Sequence, residues 1–351
     1  MTKNQPGLIV LFGSGETSAS SGKTYETVAQ RSANPLAVAI LETPAGFEPN
    51  SAQVAGKVGE FMARRLQNYN PQIDIIPARK KGTSFSPDDA AILQPMWSAD
   101  WLFLGPGSPT YAVRQLQDSL AWQMLVARQR LGAALLLASA ATVAMSATTL
   151  PVYEIYKVGQ DLHWQPGLDF FGAFGLSLTI IPHWNNTDGG EELDTSRCFM
   201  GRARFEELRQ LLPPEQTVLG LDEHTSLVID PLAGECTVMG NGRVVILRGA
   251  KRQEFASGQT FAATELGPWQ MPEPQSGIHP DVWQAALAAQ EQLLSEPDRE
   301  PETAVLDLVE ARTQAREQRQ WAKADELRAQ IEALGWQVQD TPAGPQLSPL
   351  N

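Results

Sequence analysis

The sequence is poor in the residues that disulfide frameworks and metal sites require. Its 351 residues include only two cysteines and four histidines. Cys198 and Cys236 are too few for a disulfide framework, and neither lies in a metal-ligand spacing. We therefore expect no disulfide-stapled fold and no bound metal ion. An organic cofactor is not predicted either.

Positive charge is also scarce. The chain carries 27 Lys and Arg against 40 Asp and Glu, which gives a net charge of −13. Binding to nucleic acid or to an anionic membrane depends on an excess of Lys and Arg, so the composition argues against both kinds of partner. No basic, apolar leader is recognised before the first short apolar run, and we expect a cytoplasmic protein.

One long uncharged stretch, residues 131–153, has the length of a membrane helix. It is rich in Ala, Ser and Thr rather than Leu and Ile. A buried strand that runs into a buried helix accounts for it equally well, and no membrane partner is predicted.

A glycine-rich stretch near the start, "GSGETSASSGKT" at residues 13–24, looks at first like a nucleotide-binding phosphate loop. Such a loop needs Gly, four residues and then Gly-Lys-Ser/Thr. Thr17 stands where the first glycine is required, and Gly15 lies two residues too far away. The stretch instead predicts a strand that ends in a Gly-Ser-Gly turn.

Short apolar runs alternate with helix-length amphipathic stretches over the first 250 residues. This alternation predicts an α/β fold, in which helices cover both faces of a mostly parallel sheet. Later runs lie close together, and the "GNG" between residues 235–239 and 243–247 predicts a hairpin. The predicted strand runs are Leu8–Phe12, Leu36–Leu41, Ile73–Pro77, Trp101–Leu104, Ala133–Leu137 and Leu176–Ile181.

The composition predicts three segments. Residues 1–266 form the α/β domain, residues 267–302 form a linker that contains a helix, and residues 303–351 form a small helical module. The linker begins with the Pro- and Gly-rich "GPWQMPEPQSGIHP", which breaks the strand pattern. Helices are predicted over residues 280–295 and 303–334.

Two turns at strand ends are candidates for the reactive part of a site. In "LLLASAAT", Ser139 follows an apolar strand and precedes a helix, which is the position of a nucleophile elbow; the N–H of Ala140 would then stabilise an oxyanion. A helix N-cap serine explains the same stretch. In "LFLGPGSPTYAVRQL", Gly107 would offer a second oxyanion donor, or belong to an ordinary β-to-α turn.

Other strand ends carry candidates for a general base and for an acid that orients it. His183, in "TIIPHWNN", ends an apolar strand, where open α/β sheets place their active sites. Candidate carboxylates are Asp222 and Glu223 in "VLGLDEHTSLVI" and Glu154 in "LPVYEIY", and any of them is alternatively a solvated acid. The remaining histidines have weaker positions in loops or linker: His163, His224 and His279.

At these residues the chain resembles the peptidase S51 family, the cyanophycinases and aspartyl dipeptidases, over roughly residues 6–250. The resemblance rests on "FLGPGSPTYAVRQL", "ASAAT", "PHW" followed by "GRARFEEL", and "LGLDEHTSLVI". It implies a fold like that of class I glutamine amidotransferases. Leu137 and Ala141 stand where the family's serine elbow has glycines.

The resemblance also implies roles. Ser139 would be the nucleophile and His183 the base, with Glu223 as the acid by the cyanophycinase branch or Glu154 by the dipeptidase branch. The expected function is cleavage of a peptide or isopeptide bond in a small peptide through an acyl-enzyme. The alternative is an inactive amidotransferase-like domain that binds a ligand or partner, and a homodimer is left open.

Two arginines in the segment after the histidine are candidate substrate ligands. Arg202 and Arg204 would bind a substrate carboxylate bidentately, or lie solvated on their helix.

The tail has a second resemblance. Residues 309–347, with "WAKADELR" and "DTPAG", are similar to the C-terminal helical region of cysteinyl-tRNA synthetases. That region engages tRNA in the synthetases, but residues 303–351 here carry five basic and seven acidic side chains. We therefore expect a helical docking module that does not bind nucleic acid.

Overall fold

The computed structural model describes residues 5–295, 303–341 and 344–349. The strands are β1 (Ile9–Phe12), β2 (Ala37–Leu41), β3 (Gln72–Ile76), β4 (Trp101–Leu104), β5 (Ala134–Ala138), β6 (Thr148–Thr149), β7 (Gln165–Pro166), β8 (Leu178–Ile181), β9 (Thr217–Leu221), β10 (Thr225–Asp230), β11 (Glu235–Gly240), β12 (Arg243–Arg248), β13 (Lys251–Ala256), β14 (Thr260–Ala262), β15 (Trp336–Thr341) and β16 (Gly344–Pro349). The α-helices are α1 (Gly22–Ala29), α2 (Ser51–Arg65), α3 (Ala90–Leu93), α4 (Pro109–Leu116), α5 (Leu120–Arg130), α6 (Ala140–Ala144), α7 (Val152–Tyr156), α8 (Gly201–Gln210), α9 (Pro280–Ser295), α10 (Thr303–Glu317) and α11 (Trp321–Ala333).

An eight-stranded sheet lies at the centre, with the strand order β14-β11-β10-β1-β5-β4-β2-β3. The strands from β1 to β3 in this order pair in parallel, whereas β10, β11 and β14 pair antiparallel on the other side. Helices cover both faces. The predicted α/β class is confirmed, including the antiparallel end of the sheet.

Alternate residues of the central strands face two separate cores. In β5, Leu136 and Ala138 join the core beneath α1 and α2, whereas Leu135 and Leu137 join the core on the opposite face, which includes residues of α5. All four side chains are fully buried, as expected for a strand covered on both faces. Leu137 is therefore accommodated as an ordinary core residue.

A second, four-stranded sheet has the order β13-β12-β9-β8, and only β8 and β9 pair in parallel. The predicted "GNG" hairpin is wrong, because β11 pairs with β10 and β14 while β12 pairs with β9 and β13. Asn241 lies where the chain passes from β11 in the larger sheet to β12 in the smaller one, and its N–H donates to the carbonyl oxygen of His224 at 2.9 Å. Burial of Val244 and Ile246 in the shared core favours β9 as the partner of β12.

The uncharged stretch 131–153 forms β5, α6, β6 and the start of α7, so it is a buried strand followed by buried helix. In the part of the chain that the structure describes, no helix has the length and apolarity to cross a bilayer.

Helix α9 packs against α5 rather than standing apart. Trp283 and Ala286 are buried in the same core as Met124, and Arg128 donates to Gln290 Oε1 at 2.6 Å. The helix begins and ends where the sequence predicts. The predicted boundaries at 266 and 302 stay a prediction, and residues 296–302 lie outside the described residues.

The tail contains two helices and a hairpin. Helices α10 and α11 pack together around Ala315, Ala324 and Leu327, and β15 pairs with β16. The sequence predicts one helical stretch over 303–334, whereas the structure interrupts it between α10 and α11. The hairpin, which the sequence did not reveal, closes a small core with Val305 and Ile331.

Candidate active site

Ser139 lies in the tight turn between β5 and α6. Its φ of 51° and ψ of −111° are a conformation that non-glycine residues rarely adopt, and nucleophile elbows are strained in this way. Its side chain makes no capping hydrogen bond to α6, so it does not act as an N-cap. Thr142 Oγ1 donates to the carbonyl oxygen of Leu137 at 2.8 Å and holds the first turn of α6 against the strand.

The turn after β4 lies beside this elbow. Gly107 has a φ of 147°, and a Cβ there would collide with the carbonyl oxygen of Pro44. The Ala141 N–H donates to the Gly105 carbonyl at 3.3 Å and joins the turn to the elbow. Among the described residues, the N–H groups of Gly107 and Ala140 donate to no backbone carbonyl. Two unused donors beside a serine can stabilise a developing oxyanion.

His183 follows β8 and connects the serine to an acid. Its Nε2 lies 3.0 Å from Ser139 Oγ, and its Nδ1 lies 2.8 Å from Glu223 Oε1. A neutral imidazole protonated on Nδ1 satisfies both contacts, because it accepts from the hydroxyl and donates to the carboxylate. The arrangement is that of a nucleophile, a base and an orienting acid.

Glu223, directly after β9, is held by further hydrogen bonds. Asn186 Nδ2 donates to the same Oε1 at 3.0 Å, and the Glu223 backbone N–H donates to Asn185 Oδ1 at 2.7 Å. The hydrogen bond from His183, followed by that from Asn186, lowers the pKa of Glu223 although partial burial acts against this. The neighbouring Asp222 instead accepts from the Arg243 N–H at 3.1 Å.

The Gly-Ser-Gly turn after β1 supports these residues. The His183 N–H donates to the Gly13 carbonyl oxygen at 3.0 Å. A Cβ at Gly13 would collide with the carbonyl oxygen of Asp222, so the loop after β9 can approach only because this residue is glycine. The stretch that looks like a phosphate loop therefore brings together the ends of β1, β8 and β9.

Glu154 lies elsewhere. Its Oε1 accepts a hydrogen bond from Thr110 Oγ1 near the start of α4, and its Oε2 is buried with no partner among the described residues. No hydrogen bond or ion pair joins it to His183 in this part of the chain. The geometry thus gives the position beside the imidazole to Glu223.

The structure does not bring the two predicted arginines to Ser139. Arg202 is exposed on α8, and Arg204 donates to the carbonyl oxygens of Met200 at 2.7 Å and Phe199 at 2.9 Å. Neither side chain lines the cavity beside the serine. Arg204 fastens the start of its own helix, and this placement does not favour a substrate contact.

A cavity of about 180 Å³ opens beside Ser139 and His183. It includes both candidate oxyanion donors, Gly107 and Ala140, which the sequence identified. The sequence did not identify the rest of its lining, although residues 152, 153, 156 and 157 share one face of a helical turn and signal a common surface. The other lining residues are Pro109, Val143, Val152, Tyr153, Tyr156, Lys157, Cys198 and Phe199.

Sequence reasoning also missed Asn185 and Asn186, which hold Glu223. The sequence feature that could have indicated them is the pair of Asn residues in "HWNN", two and three residues after the histidine. Asn side chains readily bond to nearby backbone and loop groups, and here they fix the acid instead of only a turn.

Comparison with solved structures identifies the fold. A peptidase from an acI-B1 Actinobacterium is similar with a TM-score of 0.59 and 19% identity, over 74% of this chain and 98% of that one. A putative peptidase E protein from Listeria monocytogenes EGD-e has a TM-score of 0.41 and 14% identity, over 72% of this chain and 98% of that one. The first likeness confirms the predicted peptidase-like fold.

The tail is recognised separately. Residues 299–346 match the family model described as the cysteinyl-tRNA ligase anticodon binding domain, which confirms the second resemblance. No curated protein matches the chain in sequence.

Proposed function

We propose that the protein is a serine-type hydrolase that cleaves a peptide or isopeptide bond in a small peptide. Ser139 is the nucleophile, His183 the general base and Glu223 the acid that orients the imidazole. The continuous hydrogen bonds from Ser139 Oγ through His183 to Glu223 carry this proposal. The fold neighbour that is described as a peptidase supports the same class of reaction.

In this proposal the reaction has two halves. Ser139 Oγ attacks the substrate carbonyl carbon while His183 Nε2 takes the hydroxyl proton, and the N–H groups of Gly107 and Ala140 stabilise the oxyanion. The ionised Glu223 stabilises the imidazolium, which then protonates the departing amine. Water, deprotonated by His183, hydrolyses the acyl-enzyme and restores Ser139.

The nearby thiol is a poor competitor for the role of nucleophile. Burial, with the negative charge of Glu223 as a smaller cause, raises the pKa of Cys198 to about 12. A thiol with that pKa stays protonated at neutral pH, whereas thiolate is the reactive form. Two free, buried cysteines also fit the cytoplasmic location that we propose.

A fluorophosphonate probe tests the proposal directly. We expect covalent labelling at Ser139, found by mass spectrometry of the digested protein. Labelling should vanish in Ser139→Ala and fall by several orders of magnitude in His183→Ala, while Ser98→Ala, an exposed serine at the surface, should label normally. Absence of labelling in the folded wild-type protein would favour the inactive binding domain.

For the tail we propose a docking role without nucleic acid. Arg312 and Arg316 pair with Asp340, while Lys323 and Arg328 pair with acids of their own helix. Phosphate contacts would have to displace these pairs in a module whose acids outnumber its bases. A salt-sensitive gel shift with tRNA, lost on removal of residues 303–351, would contradict this proposal.

A further inference from the structure

The cavity beside Ser139 has one apolar wall. Helix α7 contributes Val152, Tyr153 and Tyr156, and α6 contributes Val143. Both valines are buried, whereas Tyr153 is partly exposed at the edge of the cavity. A surface of valine and aromatic side chains favours contact with an apolar group.

The same apolar surface continues into the segment before α8, where the lining residues are also uncharged. Cys198 and Phe199 belong to a run of residues with positive φ, at 58° and 68°. Such conformations cost about 1–3 kcal/mol each and are found where surrounding structure holds a site in shape. The Cys198 thiol is neutral, and the Phe199 ring lies 5.9 Å from the His183 ring and 5.4 Å from the Tyr156 ring.

The guanidinium groups of Arg197 and Arg204, which are close in sequence to the lining residues, make their contacts outside the cavity. Arg197 stacks on Trp184 at 4.0 Å from the ring centroid and donates to the Trp184 carbonyl at 2.6 Å. Arg204 is held by carbonyl oxygens, as described above. Lys157 is the cationic residue of the lining; it is exposed, and its ammonium lies 4.8 Å from the Tyr156 ring centroid. A carboxylate that entered the cavity beyond Lys157 would lose hydration and find no cationic partner in the lining, only neutral donors such as the tyrosine hydroxyls.

The size and position of the cavity indicate which part of a substrate it receives. An apolar cavity of roughly 150 Å³ holds a benzene molecule, so the cavity of about 180 Å³ has room for a leucine or phenylalanine side chain. Ser139 and the oxyanion donors form part of its lining. The N–H groups of Gly107 and Ala140 would hold the oxygen of the attacked carbonyl, which brings the side chain of the acyl group close to this lining.

We infer that this cavity binds the side chain of the substrate residue whose carbonyl is attacked, and that it selects an apolar side chain over an acidic one. The inference rests on the proposed hydrolase function. It adds the substrate class, which is peptides with a leucine- or phenylalanine-like residue on the acyl side of the cleaved bond.

A substrate series with one leaving group tests the inference. Leucyl, phenylalanyl, alanyl, α-aspartyl and β-aspartyl p-nitroanilides differ only on the acyl side. We expect kcat/KM for the leucyl and phenylalanyl compounds to exceed that for both aspartyl compounds by at least about 100-fold. Equal rates or an aspartyl preference, in protein that the fluorophosphonate still labels at Ser139, would overturn the inference and leave the proposed function intact. Loss of labelling itself would instead contradict the proposed function.

Two variants of the wall sharpen the test. Val152→Phe should fill the cavity and lower the leucyl and phenylalanyl rates at least about tenfold relative to the alanyl rate. Val158→Phe, at a residue that is 71% exposed and outside the lining, is the matched control and should change nothing. Val152→Ala is the second variant in case the larger side chain prevents folding, and it should weaken leucyl selectivity. A uniform change for all acyl groups would overturn the inference.

A third variant, Lys157→Met, tests the contribution of the cationic residue. The substitution removes the ammonium group but keeps an apolar side chain of similar length. The leucyl preference should persist in Lys157→Met. If aspartyl compounds are the better substrates and lose that advantage in Lys157→Met, the ammonium recognises the side chain and the inference is wrong.

Discussion

The body, residues 5–295, and the described part of the tail, residues 303–341 and 344–349, both contain ion pairs, but they differ in the polar groups that lie beside a cavity. The body leaves the Ser139 hydroxyl, the His183 imidazole and backbone donors beside a cavity. In the tail, Arg312 and Arg316 share Asp340, and its other ion pairs lie along one helix. Polar groups available to a ligand are therefore found in the body, whereas the charged groups of the tail pair with one another.

The largest expected effect comes from the acid of the body. Glu223→Gln should lower kcat by about 10⁴-fold, because an amide cannot stabilise the imidazolium and favours the wrong tautomer. Glu154→Gln is the matched change at the other candidate and should alter kcat little, with melting temperatures recorded for both. A large loss from Glu154→Gln alone would transfer the role of acid to that residue.

The next effect concerns the turn beneath the histidine. Gly13→Ala should lower kcat/KM by about 10²-fold, because the collision with the Asp222 carbonyl displaces the loops that carry His183 and Glu223. Gly56→Ala, in α2 with open space around its Cβ position, is the control and should be neutral or slightly stabilising. Unchanged activity in Gly13→Ala would show that the turn does not position the site.

A smaller effect is expected in the pH dependence of stability. The folded-state pKa of Glu223 is lowered, so its ionised form stabilises the fold fully above its ordinary value of 4.5, and this contribution is lost as the pH falls through the folded pKa. The difference in unfolding free energy between wild type and Glu223→Gln should therefore shrink between pH 7 and pH 3 in urea titrations. A difference that grows on acidification would contradict the assigned hydrogen bonds.

In the tail, a substitution should change local stability but not hydrolysis. Asp340→Ala removes the partner of Arg312, and because the Asp340 side chain is 45% exposed, loss of this pair should cost about 1 kcal/mol. Hydrogen exchange of α10 and α11 in the full chain should accelerate, whereas the exposed Asp307→Ala should have no such effect. A fall in kcat/KM with Asp340→Ala would show that the tail acts on the site.

The smallest effect on hydrolysis is expected from removal of the tail alone. Truncation after residue 295 keeps α9 and should leave kcat/KM within about twofold of wild type. Truncation after residue 268 removes the buried Trp283, a loss that costs about 3–5 kcal/mol in comparable cores. Unfolding of both truncated proteins, followed by circular dichroism, would show that the tail contributes to the body's core.

Strand ends were predictable from the sequence because buried strands are continuous apolar runs. Ser139, His183 and Glu223 all follow such runs, and the structure joins their side chains by hydrogen bonds; their catalytic roles stay a prediction. The partner of β12 was not predictable, because "GNG" describes a turn locally whereas pairing depends on which core buries Val244. A local signal and a long-range burial requirement disagreed, and burial determined the pairing.

The cavity wall was also hidden from the sequence. Val152 and Phe199 are unremarkable apolar residues in sequence, and they become one surface only when α7 and the segment before α8 meet beside Ser139. The role of the two arginines as substrate ligands stays a prediction. Arg204 lies on a charged helix near the histidine, where it donates to the carbonyl oxygens of Met200 and Phe199, contacts that the sequence does not signal.

Ser139, the proposed nucleophile, follows a strand of the larger sheet, and His183, the proposed base, follows a strand of the smaller one. The Gly13 carbonyl, at the end of a strand of the larger sheet, accepts from the His183 N–H. Reactivity therefore requires contacts between segments far apart in the chain, which form slowly because long loops must close first. During refolding, helical circular dichroism should recover before Ser139 becomes reactive. Under the proposed function, the time course of fluorophosphonate labelling at Ser139 during refolding would measure when the two sheets pack together.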